Sequence, residues 1–383
     1  MKAMVLAAGV GSRLDPLTAQ VPKPLVPVTN VPVMEHIIGL LKRHGIEDII
    51  ANLHYLPEKL RHYFTEGEGK KIGVNIEFRQ EEKLSGDAGG VRFCRDFLGD
   101  GTFIVLMGDL LTDADLTRVI SEHKRKGAIA TIALKQVEDV THFGVAVLDE
   151  NGFIKGFQEK PKAEDALSNL ASTGIYILEP EVFDYMPAQG DFGFGRQLFP
   201  LLVEKGEKVL GVEIGDYWSD VGTIEQYWRS NFDVLKGKMK APMQGYKKVV
   251  YGFHTVYLAS GAELHPDVQV HANAIIRKGT VIESGVVLTG NVVLGDDCTI
   301  GAGTHLEDVI AWSGSDIKAG STLKNAIVTG HGVTEVTVSE EKKNSSQSLL
   351  LSSLRAQVNF RAEAKENLAL AQTQVLLQAG TCV

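Results

Sequence analysis

The chain has little cysteine and no arrangement that would use it. Cys94, Cys298 and Cys382 are scattered, and none belongs to a Cys-x-x-Cys pair. That spacing supports neither a disulfide framework nor a zinc site, and a reducing cytoplasm is the simplest compartment. Long hydrophobic runs are also missing. No stretch reaches the roughly 18 apolar residues that cross a bilayer, so no membrane partner is expected. Met1-Lys2 leads into an apolar run that reads as buried strand and not as a signal peptide. Excess positive charge is absent: 39 Lys and Arg face 48 Asp and Glu, a net charge of −9. Without a basic tract, a nucleic-acid partner is not expected. The 11 histidines are spread along the chain and suggest no metal cluster. What remains is ordinary for a globular protein, with 44% hydrophobic and 23% charged residues. At 383 residues the chain should hold more than one domain.

The densest chemistry comes early. An apolar strand, Ala3 to Ala8, runs into Gly9-Val10-Gly11-Ser12-Arg13-Leu14, and Pro22-Lys23-Pro24-Leu25 follows. Glycines let backbone N–H groups approach a phosphate, and two cations stand within reach of its charge. Pro22 and Pro24 stiffen the approach of Lys23. A dinucleotide fingerprint fails because Leu14 takes the place of the third glycine, and no Gly-Lys-Ser/Thr follows for a Walker loop.

The first part of the chain alternates strand and helix patterns. Strands are expected at Ala3–Ala8, Asp48–Leu53, Val74–Arg79, Phe103–Met107 and Ala130–Lys135. Helices are expected at Val33–His44, Glu58–Phe64, Ala88–Leu98 and Leu116–Lys126. Such alternation predicts a doubly wound, Rossmann-like α/β sheet. These sheets bind ligands beyond the carboxyl ends of their strands, where Gly9 and Gly108-Asp109 both fall. Asn151-Gly152 marks a hairpin between Phe143–Val147 and Ile154–Phe157. A strand at Ala171–Leu178, two helices, a strand at Lys208–Ile214 and a helix from Ile224 to about Leu235 complete this part.

A different pattern follows. Leu264, Val270, Ile276, Ile282, Leu288, Leu294, Ile300 and Leu306 recur at a strict six-residue period, with small or β-branched residues four places after each. No helix has that period, and hexapeptide repetition signifies a parallel β-helix. The repeat resembles the left-handed form, in which three hexapeptides make one triangular coil. The phase breaks at Ala311–Asp316 and resumes near Ile317, which predicts a loop bulging from one corner. Each coil buries its aliphatics on the next, so the solenoid reads as a stability and assembly module, with a homo-oligomer expected through it. The polar stretch from about Ser339 reads as a linker, and residues 349–378 as a helix.

Met4-Val5-Leu6-Ala7-Ala8-Gly9-Val10-Gly11-Ser12-Arg13-Leu14, with Pro16-Leu17-Thr18 and Pro22-Lys23-Pro24-Leu25, resembles the sugar-1-phosphate nucleotidyltransferases over residues 1 to about 235. The resemblance implies an α/β catalytic domain over residues 1–238, a left-handed β-helix over 239–338, and a linker and C-terminal helix over 339–383. It implies Mg²⁺ held by Asp109 and by Asp220 of Trp218-Ser219-Asp220-Val221-Gly222-Thr223. Arg13, Lys23 and Lys160 join those aspartates as catalytic charges. Leu6, Ala8, Gly9, Gly11, Ser12, Arg13, Lys23, Gln80, Gly86 and Asp87 belong to the nucleotide side. Gly108, Glu159, Lys160, Ser172 and Gly174 belong to the sugar phosphate. The loop Gln80 to Gly90 departs from the family's pattern, because Ser85 is inserted and Asp87 replaces a hydroxyl residue. Asp87 is expected to cap the helix that follows, and Asp113 and Asp115 are candidate caps for the helix near Leu116.

The resemblance favours glucose 1-phosphate and UTP, the branch of cyanobacterial UDP-glucose pyrophosphorylases. Mannose-1-phosphate guanylyltransferase is the alternative, since that branch has the same domain order. A non-catalytic regulatory subunit is a rival from another class, opposed by the intact Arg13, Lys23, Asp109, Lys160 and Asp220. An added acyl-transfer activity is another, opposed by the lack of a convincing catalytic histidine in the solenoid.

Overall fold

The computed structural model describes residues 1–240 and 245–338. The expected C-terminal helix therefore lies outside the described residues.

The strands Phe103–Met107, Lys2–Leu6, Asp48–Leu53 and Asn75–Gln80 lie side by side in that order and run parallel. Val5, Ile50 and Phe103 to Leu106 are fully buried, as strands covered on both faces must be. The sheet is mixed, however. Leu170–Leu178 lies antiparallel against Phe103–Met107, and it also pairs with Ala130–Gln136 and the hairpin Gly144–Leu148 and Ile154–Glu159. Its turn at Gly152 adopts φ 86°, the left-handed region that glycine favours.

Helices form at Val33–Arg43, Pro57–Thr65, Leu116–Lys126 and Ile224–Leu235. The helix expected over Ala88–Leu98 is broken into Asp87–Phe93 and Arg95–Leu98. Arg79 donates to the Phe93 carbonyl, 3.1 Å away, and the Phe97 amide turns to Cys94 O at 3.0 Å. One of the two helices expected before residue 208 is only a 3₁₀ run, Pro180–Tyr185. The other begins as a π turn, Phe194–Leu198, before Phe199–Glu204 continues as α-helix. A π turn admits an extra residue, and here Phe194 packs tilted and Phe199 edge-on against Tyr176.

The repeat builds a parallel β-helix. Gln269–Ile276, Val287–Leu294, His305–Ala311 and Thr322–Thr329 stack along one face, and Glu263–Leu264 through Asp316–Ile317 along another. Leu288, Leu294, Ile300 and Leu306 are fully buried between coils. The break in phase has a different cause from the expected bulge. Thr289 pairs with Glu307, 18 residues on, but Val292 pairs with Val309, only 17 on. One residue is missing at the corner, where Asp308 alone (φ 54°) replaces Gly290-Asn291. Its Oδ1 accepts from Asn291 N at 2.9 Å and Nδ2 at 2.7 Å, which closes the shorter corner. Val309, not Ile310, thus takes the inward place that the hexapeptide count gives to residue 310.

The two parts pack on one another within a single compact unit, Met1–Val336. The helix Ile224–Leu235 forms the seam. Trp228 Nε1 donates to Asp308 O at 2.9 Å, and Trp312 Nε1 donates to the Tyr227 hydroxyl at 2.8 Å. The tight turn Thr29-Asn30 reaches over as well, and Asn30 Nδ2 donates to Leu294 O at 3.1 Å.

His36 lies buried on the helix Val33–Arg43, with Nε2 3.1 Å from the Val28 carbonyl. Burial first, then the nearby Arg43, push its imidazole down to about 4. The unfolded chain binds this proton near pH 6.5, so stability is present above that value and is lost as pH falls towards 4. Between pH 7 and pH 5 the loss from this group is about 2 kcal/mol. Urea unfolding of the wild type and of His36→Gln at both pH values checks it. The variant should show the smaller shift of midpoint, and equal shifts would remove His36 from the account.

Candidate functional site

The glycine-rich turn leaves the strand Lys2–Leu6 at its carboxyl end, beside Met107 and Gly108 of the next strand. Gly11 adopts φ 74°, and a Cβ there would stand 2.8 Å from Lys23 Cβ. That close approach tucks Lys23 under the turn and leaves it only 8% exposed. Lys23 Nζ reaches the Asp109 carboxylate directly and lies 3.8 Å from Asp220 Oδ1.

The strands Leu110–Thr112 and Trp218–Asp220 pair antiparallel, and Val221 N donates to Asp109 O at 3.2 Å. This two-stranded ribbon brings together two aspartates that lie far apart in sequence. Burial, then the negative charge of Asp109, push the Asp220 carboxyl above its ordinary range, against the pull of Lys23, Arg13 and Lys160. Two converging carboxylates whose mutual repulsion is relieved only by cations suit a hard divalent ion completed by phosphate oxygens and water. Among the described residues, no cluster of three or more His, Cys, Asp or Glu is built for a metal. Asp115 caps the helix Leu116–Lys126, accepting from Arg118 N at 3.0 Å. Asp113 does not cap it. It receives Tyr217 N and Lys240 N instead, and so fastens the ribbon.

Two cavities meet at Asp87, Met107 and Asp109. The first, about 360 Å³, is walled by Leu6, Ala8, Gly9, Lys23, Gly86 and Gly108. The second, about 230 Å³, holds Arg13, Glu159, Lys160, Ser172, Gly174 and Asp220. Gly108 lines the first cavity and Arg13 the second. Gly11 and Ser12 lie in the turn and line neither cavity. Gln80 is exposed at the end of its strand and also lines neither.

Sequence reasoning missed the polar wall of the first cavity. Glu81, only 4% exposed, receives Asn52 Nδ2 at 2.6 Å and the Ser85 hydroxyl. Asn52 in turn accepts from Ala7 N at 2.9 Å. The network ties the glycine turn to the loop Glu81–Gly86. The inserted Ser85 was its only sequence signal. Asp87 is the first residue of its helix and not a conventional cap. Its Oδ1 accepts from Ala88 N and from Phe194 N, each at 2.8 Å, which joins the loop to the distant π turn.

Around the second cavity, Lys160 adopts φ 48°, unusual for a non-glycine residue, and its N–H donates to Phe143 O at 3.0 Å. Trp218 stacks edge-on against Phe143 and donates to Thr173 O at 2.9 Å. Gly195 faces Glu159, where a Cβ would lie 2.1 Å from Glu159 Oε2. Gly195→Ala is thus expected to displace that carboxylate. If the cavity receives a sugar phosphate, the KM for that substrate should rise about tenfold or more with the fold intact. Steady-state kinetics with a thermal melt checks this, and an unchanged KM would refute it.

Comparison with known proteins identifies the family. Residues 2–237 match the nucleotidyl transferase family model, and residues 273–308 match six bacterial transferase hexapeptide repeats. A UTP–glucose-1-phosphate uridylyltransferase of Synechocystis is 43% identical over 253 residues, covering 63% of this chain and 65% of that protein, just under two thirds of its length. A mannose-1-phosphate guanylyltransferase of Mycobacterium tuberculosis is 29% identical over 324 residues, covering 84% of this chain and 82% of the other. Among solved structures, a glucose-1-phosphate thymidylyltransferase described as putative, from Bacillus anthracis, superposes with TM-score 0.54 at 30% identity, covering 61% of this chain and 94% of that one. The chain belongs to the nucleotidyl transferase family and joins that family's domain to a hexapeptide-repeat β-helix, as its sequence motifs imply.

Proposed function

We propose that this chain transfers a nucleotidyl group from a nucleoside triphosphate to a hexose 1-phosphate, releasing an NDP-sugar and pyrophosphate. The observation that carries the reading is the junction of two unlike cavities at Asp109, with a cation on each side. The first has Leu6, Pro24, Leu84 and Met107 on its walls, which suit a base and ribose. The second gathers Arg13, Glu159 and Lys160, which suit a phosphorylated sugar. An oxygen of the sugar phosphate forms a bond to the α-phosphorus, and the bond to the β-phosphate oxygen breaks, so pyrophosphate leaves in line. The attacking phosphate is already ionised near neutral pH, so no general base and no covalent intermediate are needed. Lys23 orients and neutralises the triphosphate from the first side, and Arg13 and Lys160 the sugar phosphate from the second. Asp109 and Asp220 would hold a divalent ion, Mg²⁺ in this reading, which when bound supplies further charge neutralisation at the reacting phosphates.

Glucose 1-phosphate with UTP is the favoured pair, supported by the 43% identity to the Synechocystis uridylyltransferase. Mannose 1-phosphate with GTP is the second reading, because the mycobacterial guanylyltransferase matches along 84% of the chain. Homo-oligomerisation through the solenoid is supported by the apolar hairpin at its first edge, where Phe253 is 84% and Val250 63% exposed. Buried free thiols at Cys94 and Cys298 suit the cytoplasm, and among the described residues no helix is long and apolar enough to cross a membrane. The test is a matrix of UTP, GTP, ATP, CTP and dTTP against glucose, mannose, galactose and glucosamine 1-phosphates, scored by pyrophosphate release. The highest kcat/KM is expected for UTP with glucose 1-phosphate. A maximum at GTP with mannose 1-phosphate would favour the second reading, and no release from any pair would remove both.

A further inference from the structure

We propose that Asp87 determines sugar specificity: from the boundary of the two cavities its carboxylate accepts a hydrogen bond from a hexose hydroxyl, and together with Glu159 it selects neutral hexose 1-phosphates over hexuronate 1-phosphates. The inference rests on the nucleotidyltransferase reading of the site.

Three observations carry it. Asp87 lines the second cavity as well as the first, so it faces the same space as Glu159, Lys160 and Ser172. Its orientation is fixed, because Ala88 N and Phe194 N both bind Oδ1. Oδ2 accepts from no other residue among those described, and we assign it to the ligand. Among the described residues, moreover, neither Asp87 nor Glu159 forms an ion pair; their interactions with charged groups are longer-range. Burial leads in pushing both carboxyls above their ordinary range; Asp191 adds to it at Asp87, and at Glu159 the pull of Lys160 and Arg196 opposes burial while Asp87 adds to it. A carboxylate is a pure acceptor when ionised. Two such groups without a bonded cation gain from a ligand rich in hydroxyl donors and repel one that brings a carboxylate of its own. Phosphate is repelled likewise, so the sugar phosphate must turn its charge towards Lys160 and its ring towards Asp87.

Asp87→Asn in the full chain is the discriminating variant. Its amide oxygen still accepts from Ala88 N and Phe194 N, so a purely structural role survives, but an amide donor now replaces the second acceptor. The KM for hexose 1-phosphate is expected to rise about 10- to 100-fold, the size of a lost bond to a charged group, with the triphosphate KM within about 3-fold. With a series of deoxyglucose 1-phosphates, the wild type should be penalised for each missing hydroxyl, and the variant should show no penalty for one of them. Relative turnover of glucuronate 1-phosphate should rise. Should the Asn variant not fold by circular dichroism, Asp87→Ser keeps a short acceptor and should show the same split. Wild-type kinetics in the folded variant, an effect confined to the triphosphate KM, or an unchanged penalty for every deoxy sugar would each overturn the assignment. A wild type that releases pyrophosphate with no pair would instead overturn the nucleotidyltransferase reading, and this one with it.

Discussion

Asp109→Asn and Asp220→Asn are each expected to lower kcat by roughly two to three orders of magnitude without unfolding the protein. Each change removes one of the two carboxylates that the ribbon brings together. An amide of the same shape leaves the pairing of Leu110–Thr112 with Trp218–Asp220 in place, because that pairing runs through backbone groups. Stability should hold or rise in Asp220→Asn. Burial and the charge of Asp109 both act against the ionised Asp220, so removing its charge relieves an unfavourable term. Initial rates over a Mg²⁺ titration, with a thermal melt of each variant, measure both effects. Near-wild-type activity of Asp220→Asn at limiting Mg²⁺ would show that the site does not use this pair. A collapse of the melt would show that the aspartates serve the fold instead.

The second large effect concerns the seam with the solenoid. From the sequence alone, a cut after Lys238 leaves an α/β domain with all of its assigned charges. The structure makes that cut more costly. Tyr227 is fully buried and Trp228 is 8% exposed in the intact chain, with partners in Trp312 and Asp308 that the cut removes. Uncovering the two rings costs on the order of 5 kcal/mol, a large share of a domain's net stability. The shortened chain should therefore melt well below the intact one, keep only weak nucleotidyl transfer, and fall to a smaller oligomer. Size-exclusion with light scattering and thermal melts on both chains tests it. An equal melting temperature would contradict the seam, and an intact protein that is monomeric at micromolar concentration would contradict assembly through the β-helix.

The sequence by itself determined whatever is written in consecutive residues. The boundaries of Asp48–Leu53, Phe103–Met107, Leu116–Lys126 and Ile224–Leu235 are legible in periodicity, because each buries a face set by its own local spacing. The hexapeptide count announced the β-helix for the same reason. The glycine turn and Lys23 could be read because a phosphate-binding turn is a short, continuous device. Tertiary structure alone decided how distant pieces meet. Asp109 and Asp220 converge through a ribbon whose register depends on Asp113 holding Tyr217, 104 residues away. Asn52 and Glu81, to which Ser85 is bonded, share one wall because strand order places Asp48–Leu53 beside Asn75–Gln80. Asp87 looked like a helix cap, and it turned out to be shared with Phe194 and with both cavities. The corner at Asp308 looked like a later insertion, since an offset in a repeat reveals the lost phase but not the place where the chain was shortened. Local patterns encode which face of an element is buried. They do not encode which remote side chain is buried with it, and most of this site is made of such pairs.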